Sequence, residues 1–334
     1  MKTTANGSGD KRRGLREDMR EVFLDHLSFK LGEQIRSVEE SAENGVTIST
    51  AAVLRESGFS EHHLCGLQTN AYDLARGAVQ QIETKLGDIG AIIYSTCIPG
   101  NGSVGDETKF HETRDVKYLM DFPASHLQSD FRLDKAIVIG LNQQACTGML
   151  GSLRVAKWLL MSEPEIDRAL CVTADRFPEG ALYEQSYNLI SDGAAACIVS
   201  SSIGGFRLLA AHALTNGAMS RASDDETVGS FFSYTHRVIQ ETLLRAKLEV
   251  RDISWIVPQN TNSKAWQILA RLLKFDFERV YFPTIGEVGH VISGDNIINL
   301  KRLADDQRIE SGQRALLFMA GYGLNWQCVI VEKV

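Results

Sequence analysis

Cysteine is scarce in this chain and wrongly spaced for a disulfide framework or a metal site. The 334 residues hold six cysteines, Cys65, Cys97, Cys146, Cys171, Cys197 and Cys328, and no two of them form a CxxC pair. A chain of this size needs no covalent staples, so reduced thiols and a cytoplasmic setting are expected. The eight histidines are scattered, without HxxxH or HExxH spacing, which argues against a metal centre. No apolar run approaches the roughly 18 residues of a membrane span. The first residues, "MKTTANGSGDKRRGLRED", lack an apolar h-region and read as a flexible arm over 1–19 rather than a secretory signal. Positive charge is not in excess: 35 Lys and Arg stand against 42 Asp and Glu, for a net charge of −7, which argues against nucleic acid as a partner. Neither GxGxxG nor GxxxxGK[ST] occurs, so no dinucleotide or P-loop site is expected.

What is present is an internal repeat at long period. "KLGDIGAIIYSTCIPG" (85–100) resembles "KLEVRDISWIVPQN" (247–260), and "ACTGMLGSLRVAKWL" (145–159) resembles "GHVISGDNIINLKRL" (289–303). "RALCVTAD" (168–175) then matches "RALLFMAG" (314–321), and "AAACIVSS" (194–201) matches "NWQCVIVEK" (325–333). Four matches in order, with nearly equal gaps, indicate a duplicated fold. Short apolar runs rich in β-branched residues, such as "GAIIYST" and "AACIVSS", suit buried strands. "DLARGAVQQIETKL" (73–86), "GMLGSLRVAKWLL" (148–160) and "TVGSFFSYTHRVIQETLLRAKL" (227–248) carry apolar residues at helical spacing. Alternating strands and helices predict a layered α/β architecture of two pseudo-symmetric halves, 20–204 and 205–334.

The repeat sets Cys146 opposite His290. Each stands where a strand ends and a helix begins, and two pseudo-symmetric halves would bring the two loops face to face. A thiol at a helix N-terminus can act as a nucleophile, favoured by the macrodipole and by free N–H groups. An imidazole nearby can take and return its proton. The alternative for Cys146 is a small buried core residue. Cys97, Cys171, Cys197 and Cys328 lie in strand-like runs and read as core. The paired histidines of "EHH" (61–63) read as a solvated helix start.

These residues carry a family resemblance. The chain resembles the β-ketoacyl-acyl-carrier-protein synthase III group of thiolase-fold enzymes from about residue 45 onward. "ACTGMLGSLRVA" is similar to the family's nucleophile loop, "ISDGAAACIVS" (190–200) to its Asp-Gly-Ala segment, "WIVPQNTN" (255–262) to the segment that carries its catalytic His, and "AGYGLNW" (320–326) to its glycine-rich C-terminal loop. The resemblance implies a thiolase-like fold of two pseudo-symmetric halves layered α-β-α-β-α, and a homodimer. It implies acyl-Cys146 as intermediate, with an oxyanion hole made by the N–H groups of Cys146 and Gly323. No permanently bound cofactor is implied. The donor would be a thioester on coenzyme A or on the phosphopantetheine of an acyl carrier protein. An acidic carrier would dock on a basic patch, for which Arg207, Arg221, Arg251, Lys264 and Arg271 are candidates.

The departures matter as much. The family segment Val-Pro-His-Gln-Ala-Asn reads "VPQNTN" here, so Gln259 stands at the His position, while His290 falls where the family has Asn. Gln259 can donate a hydrogen bond but cannot cycle a proton near neutral pH; His290 can. A subgroup of the family in antibiotic biosynthesis has a His at this second position and transfers acyl groups. The implied function is therefore acyl transfer to a small-molecule acceptor in secondary metabolism. Decarboxylative condensation with a malonyl thioester, or a non-catalytic role beside an active partner, are the alternatives. Asp295 and Asn325 are the two candidates to orient His290. Asp295 is the one we favour, although it also reads as a helix-start acid and Asn325 as a turn residue. Asn260 and Asn262 either contact substrate or hold their loop.

Overall fold

A computed structural model describes residues 20–98, 106–185, 188–221, 224–322 and 324–334. The arm expected at 1–19 and Gly323 lie outside the described residues. Nine strands build one hydrogen-bonded sheet. The first part of the chain contributes β1 (Phe23–Leu31), β2 (Ala91–Ser95), β3 (Ile137–Leu141), β4 (Arg168–Asp175) and β5 (Gly193–Ser200). The second contributes β6 (Phe206–Thr215), β7 (Trp255–Val257), β8 (Arg314–Gly321) and β9 (Asn325–Lys333). Their spatial order is β7-β8-β9-β6-β1-β5-β4-β2-β3. β2 runs parallel to β3 and β4, and β7 parallel to β8; the other neighbours are antiparallel.

The two halves of the sheet join through only two residue pairs between β1 and β6, Phe23↔Arg207 and Leu24↔Phe206. So short a seam lets the sheet wrap around the helices it encloses. Those helices are α2 (Gly148–Ser162) and, later in the chain, α5 (Asp295–Asp305). α2 touches β2, β4 and β5 and also β9; α5 touches β1 and β5 and also β7 and β8. Helix α1 (Ala71–Gln80) covers the far side of β1, β4 and β5. Helices α3 (Asp224–Ala246) and α4 (Ser263–Leu273) cover the other half, with α3 on β6, β8 and β9 and α4 packed on α3. The result is five layers, α-β-α-β-α.

Residue pattern explains each layer. α2 buries Met149, Leu150, Leu153, Ala156 and Leu160, more than one face, as a helix between two sheets must. α4 buries one stripe, Trp266, Leu269, Ala270 and Leu273, and the Asn262 side chain caps its first turn. In β5 all eight residues of "GAAACIVS" are buried, because helices cover both faces. Three large apolar clusters fill most of the gaps. The central one draws on both halves, from Ala91 and Ile93 to Leu317 and Val331. The outer two lie under α3 and α4 and under α1.

Two readings of the sequence change. β1, which lies before the stretch that carries the family resemblance but within the expected first half, sits between β5 and β6. Its pattern is hidden by a bulge between Asp25 and Ser28, with His26 at φ 52°. "EHH" is not a solvated helix start: Glu61–Leu64 is a short strand paired with Gln34–Ser37, and His62 within it is buried. The repeat register also shifts. Ala145 and Ile292 share a left-handed backbone, φ 45° and 43°, and each lies three residues before its helix, α2 at Gly148 and α5 at Asp295. The structural counterpart of Cys146 is therefore Ser293, and His290 lies three residues earlier.

Candidate active site

β3 ends at Leu141 and the chain turns into a single 3-10 turn, Ala145–Thr147, that runs directly into α2. Cys146 sits in that turn and is half-buried. The left-handed backbone at Ala145 is unusual for a residue with a Cβ and aims the turn as a tight elbow. Gly321, the last residue of β8, passes so close that a Cβ there would stand 2.8 Å from Cys146 N and 3.2 Å from Ala145 Cβ. Only glycine admits that approach, which keeps the start of α2 and the loop after β8 together. Gly323, expected to share the oxyanion hole with Cys146, belongs to that loop but lies outside the described residues.

The loop before α5 supplies the imidazole. His290 is 1% exposed and Asp295 is fully buried. His290 Nδ1 lies 2.5 Å from Asp295 Oδ2. The same carboxylate accepts the Asn260 N–H at 2.7 Å on Oδ2 and the Val291 N–H at 2.7 Å on Oδ1. A carboxylate accepts only, so the His290 proton resides on Nδ1. Nε2 is then a bare acceptor, and it is buried without a hydrogen-bond partner. The two loops are tied directly, because Ser293 Oγ donates to Ala145 O at 3.0 Å.

Of the two residues considered for orienting His290, the ring meets Asp295. Asn325 is committed elsewhere: its Oδ1 accepts from Thr215 Oγ1 at 2.6 Å and its Nδ2 donates to Tyr322 O at 3.3 Å. Gln259 is buried, and its Oε1 accepts the Ala320 N–H at 2.6 Å, which leaves only its NH2 for other work. Asn260 is fully buried and donates to Thr284 Oγ1 and Gly289 O, while its Oδ1 accepts from Asn299. Asn262 caps α4 and donates to Ser57 Oγ. Holding the loop, of the two roles weighed for these asparagines, is the one their contacts describe.

Cys97 is the residue that the sequence pattern misplaced. It lies past the end of β2, half-buried, and packs with Cys146 against Leu64, Tyr183, Ile190 and Ile292. Asp175 fixes its backbone, accepting from Thr96 Oγ1 at 2.7 Å, Cys97 N at 2.8 Å and Ile98 N at 3.1 Å. Contact with the Cys97 thiol, followed by burial, pushes the Cys146 thiol well above the usual thiol range, and the Asp175 and Asp295 carboxylates add to this. Burial likewise pushes the Asp175 carboxyl up to about 7 against the pull of its hydrogen bonds. The strand-borne Cys171, Cys197 and Cys328 are buried. Among the described residues no cluster of His, Cys, Asp and Glu could hold a metal, and no helix is long and apolar enough to cross a membrane. Of the cations considered for docking, Arg207 pairs with Glu21 and Glu332, Arg251 with Glu249, and Lys264 with Glu56.

A duplicated five-layer α/β chain with a Cys at the start of a central helix defines the thiolase-fold class. Two family models match: 3-oxoacyl-[acyl-carrier-protein (ACP)] synthase III over residues 142–217 and the C terminal of the same family over residues 243–333, together half of the chain. The chain belongs to this synthase III family of condensing and acyl-transferring enzymes. It is similar to a β-ketoacyl-[acyl-carrier-protein] synthase III of Wolbachia pipientis wMel, 24% identical over 320 residues that span 90% of this chain and 93% of that protein. A Chlamydia caviae protein of the same name is 30% identical over 224 residues, 57% of this chain and 65% of that one. Among solved structures, ChlB3, described as an acyltransferase, superposes with a TM-score of 0.80 at 20% identity, over 94% of this chain and 98% of that chain. The 3-oxoacyl-[acyl-carrier-protein] synthase III of Aquifex aeolicus VF5 gives 0.77 at 17% identity, over 93% and 99%. These structural likenesses show the fold.

Proposed function

We propose that this chain transfers an acyl group from a coenzyme A or carrier-protein thioester, through acyl-Cys146, to a small-molecule alcohol, amine or thiol. The observation that carries the reading is the His290–Asp295 pair: Nδ1 held at 2.5 Å and Nε2 left open. A thiol pushed above its ordinary range stays protonated near neutral pH, so it needs a base at the moment of attack. In the proposed cycle His290 Nε2 takes the Cys146 proton and the thiolate attacks the thioester carbonyl. The Cys146 N–H, with that of Gly323, holds the oxyanion. Collapse expels the donor thiolate, which leaves with the proton from His290. The acceptor then gives its proton to the same nitrogen and attacks acyl-Cys146, and the cysteine leaves as thiol. Asp295 stabilises the imidazolium in both halves. No permanent cofactor enters this cycle.

Intact-mass spectrometry with a series of acyl-coenzyme A donors tests the reading. Wild type gains one acyl mass and Cys146→Ala gains none. No gain from any coenzyme A or carrier-protein donor would leave the partner-subunit role. The synthase III names of the curated relatives favour a second reading, decarboxylative condensation. Release of carbon dioxide from a malonyl thioester selects it. The proposal includes a homodimer formed through the sheet edge. β3 is an edge strand that leaves Ile137 and Val138 exposed, and an uncovered apolar edge suits pairing with a second copy. Sedimentation of wild type as a monomer at micromolar concentration contradicts that part. A setting in secondary-metabolite synthesis rests on the placement of His290.

A further inference from the structure

The nucleophile turn rests on two glutamines. Gln144 lies two residues before Cys146. Gln327 stands within β9, level with Met319 of β8 and Ala213 of β6. Gln327 Nε2 donates to Gln144 Oε1 at 2.6 Å, to Thr147 Oγ1 at 3.1 Å and to Thr147 O at 3.3 Å. Thr147 Oγ1 in turn donates to Gln144 O at 2.7 Å. One amide therefore grips the chain on both sides of Cys146. Gly151 makes the room: a Cβ there would stand 1.9 Å from Gln144 Oε1 and 3.2 Å from Gln327 Nε2, so any larger residue would expel the Gln144 side chain.

Stability alone does not account for this pair. Gln327 is 2% exposed and its Oε1 is buried without a partner. A buried acceptor left unsatisfied costs free energy that an apolar side chain of the same length would not. The turn it grips is also strained, through the left-handed backbone at Ala145, and such a conformation persists only where its surroundings over-determine it. Ser293 holds the turn from the other half and Gly321 backs it. Gln327 is the third support, and the one that joins both flanks of the cysteine. We propose that Gln327, acting through Gln144 and Thr147, is a positioning residue that holds Cys146 in its strained geometry for attack on the acyl thioester. This rests on the acyl-transfer reading.

The test compares Gln327→Met, Gln144→Met, the double variant, and Gln144→Glu, which keeps the acceptor. Three quantities are read: melting temperature, the rate and half-saturation of Cys146 acylation by an acyl-coenzyme A that loads wild type, and the rate of Cys146 alkylation by iodoacetamide across pH. Gln327→Met removes the unpartnered Oε1 but also the donor to Gln144 and Thr147, so it is expected to melt within a few degrees of wild type. Its saturating acylation rate is expected to fall roughly 10- to 100-fold, the cost of a small misplacement of a reacting group, with half-saturation little changed. Gln144→Glu should retain most of the rate, and the double variant should be no slower than Gln327→Met, because the two residues act as a unit. Alkylation should shift in both Met variants. Should Gln327→Met not fold, Gln144→Met against Gln144→Glu makes the same comparison. An acylation rate in Gln327→Met equal to wild type overturns the inference, as does a rate loss matched by lower melting and weaker donor binding. If no thioester loads wild type, a shifted alkylation profile keeps the positioning role while the acyl-transfer reading falls; an unshifted profile removes both.

Discussion

Asp295→Asn exchanges one oxygen for an NH2 group and keeps the side chain's shape, so its effect can be worked from three hydrogen bonds. Oδ2 serves His290 Nδ1 and Asn260 N, and Oδ1 serves Val291 N. All three donors face a carboxylate that only accepts. An asparagine has a single acceptor oxygen. If that oxygen takes the Oδ2 position, His290 and Asn260 are still served, but the NH2 meets the Val291 N–H donor to donor. If it takes the Oδ1 position, the Asn260 N–H is orphaned and His290 must turn its bare nitrogen toward the NH2. The ring then carries its proton on Nε2 and can no longer receive one from Cys146. Either arrangement strands one buried N–H, at a cost of about 1–3 kcal/mol. The first is favoured because it also keeps the His290 proton on Nδ1. Even there the imidazolium loses its counter-charge, and Cys146 acylation near neutral pH should fall roughly 10²- to 10⁴-fold. The raised thiol supplies the sign of the pH effect. As pH climbs toward the ionisation of Cys146, the base becomes dispensable and the deficit should narrow. Single-turnover acylation followed by intact mass from neutral to strongly alkaline pH reads both. Acylation by Asp295→Asn within about threefold of wild type near neutral pH would refute the dyad as the base.

His290→Ala should lose turnover far more than Gln259→Ala, because the Gln259 oxygen is bound to the β8 backbone; equal losses in steady-state assays would reverse these roles. Asp175→Asn should flatten the dependence of stability on pH. With a folded value of about 7 against roughly 3.9 unfolded, the native state favours the protonated acid, so its contribution is full below about pH 4 and lost as pH rises through about 7. Between about pH 5 and 8 wild type should lose about 2–3 kcal/mol that the variant keeps. Urea titrations at the two pH values check this, and parallel curves for the two proteins would disprove it. Gly321→Ala should lower both melting temperature and acylation rate, since its Cβ must push on Cys146 N from 2.8 Å; wild-type behaviour would show that the approach has slack.

The sequence showed most of the layers and one wrong register, and the difference has a physical cause. Periodicity located β2, β4, β5 and α1 to α3 because each buries a whole face, and burial leaves a regular trace, while β3 showed itself as a short apolar run although it lies exposed at the sheet edge. β1 left none, because the bulge at His26 breaks its alternation. The duplicated turns were visible as a repeat, but residue similarity aligned Gly289 with Ala145 and so set His290 against Cys146. The true landmarks are the left-handed residues, and these are Ala145 and Ile292, neither of them a type that announces such a backbone. Asp295 was legible because it follows His290 within one tight loop. Asn260 and Asn325 were not, since an amide facing a ligand and an amide facing Thr284 or Thr215 look the same in sequence. Cys97 was hidden by the opposite effect: its apolar run continues past Ser95, but Asp175 captures the backbone at Cys97 and Ile98 and ends the strand there. The same long-range bond that concealed the second thiol places it against the first. The Cys146 thiol is therefore raised by residues just past β2, in β4 and in α5, and the proposed need for a base such as His290 follows from the fold rather than from the nucleophile loop itself.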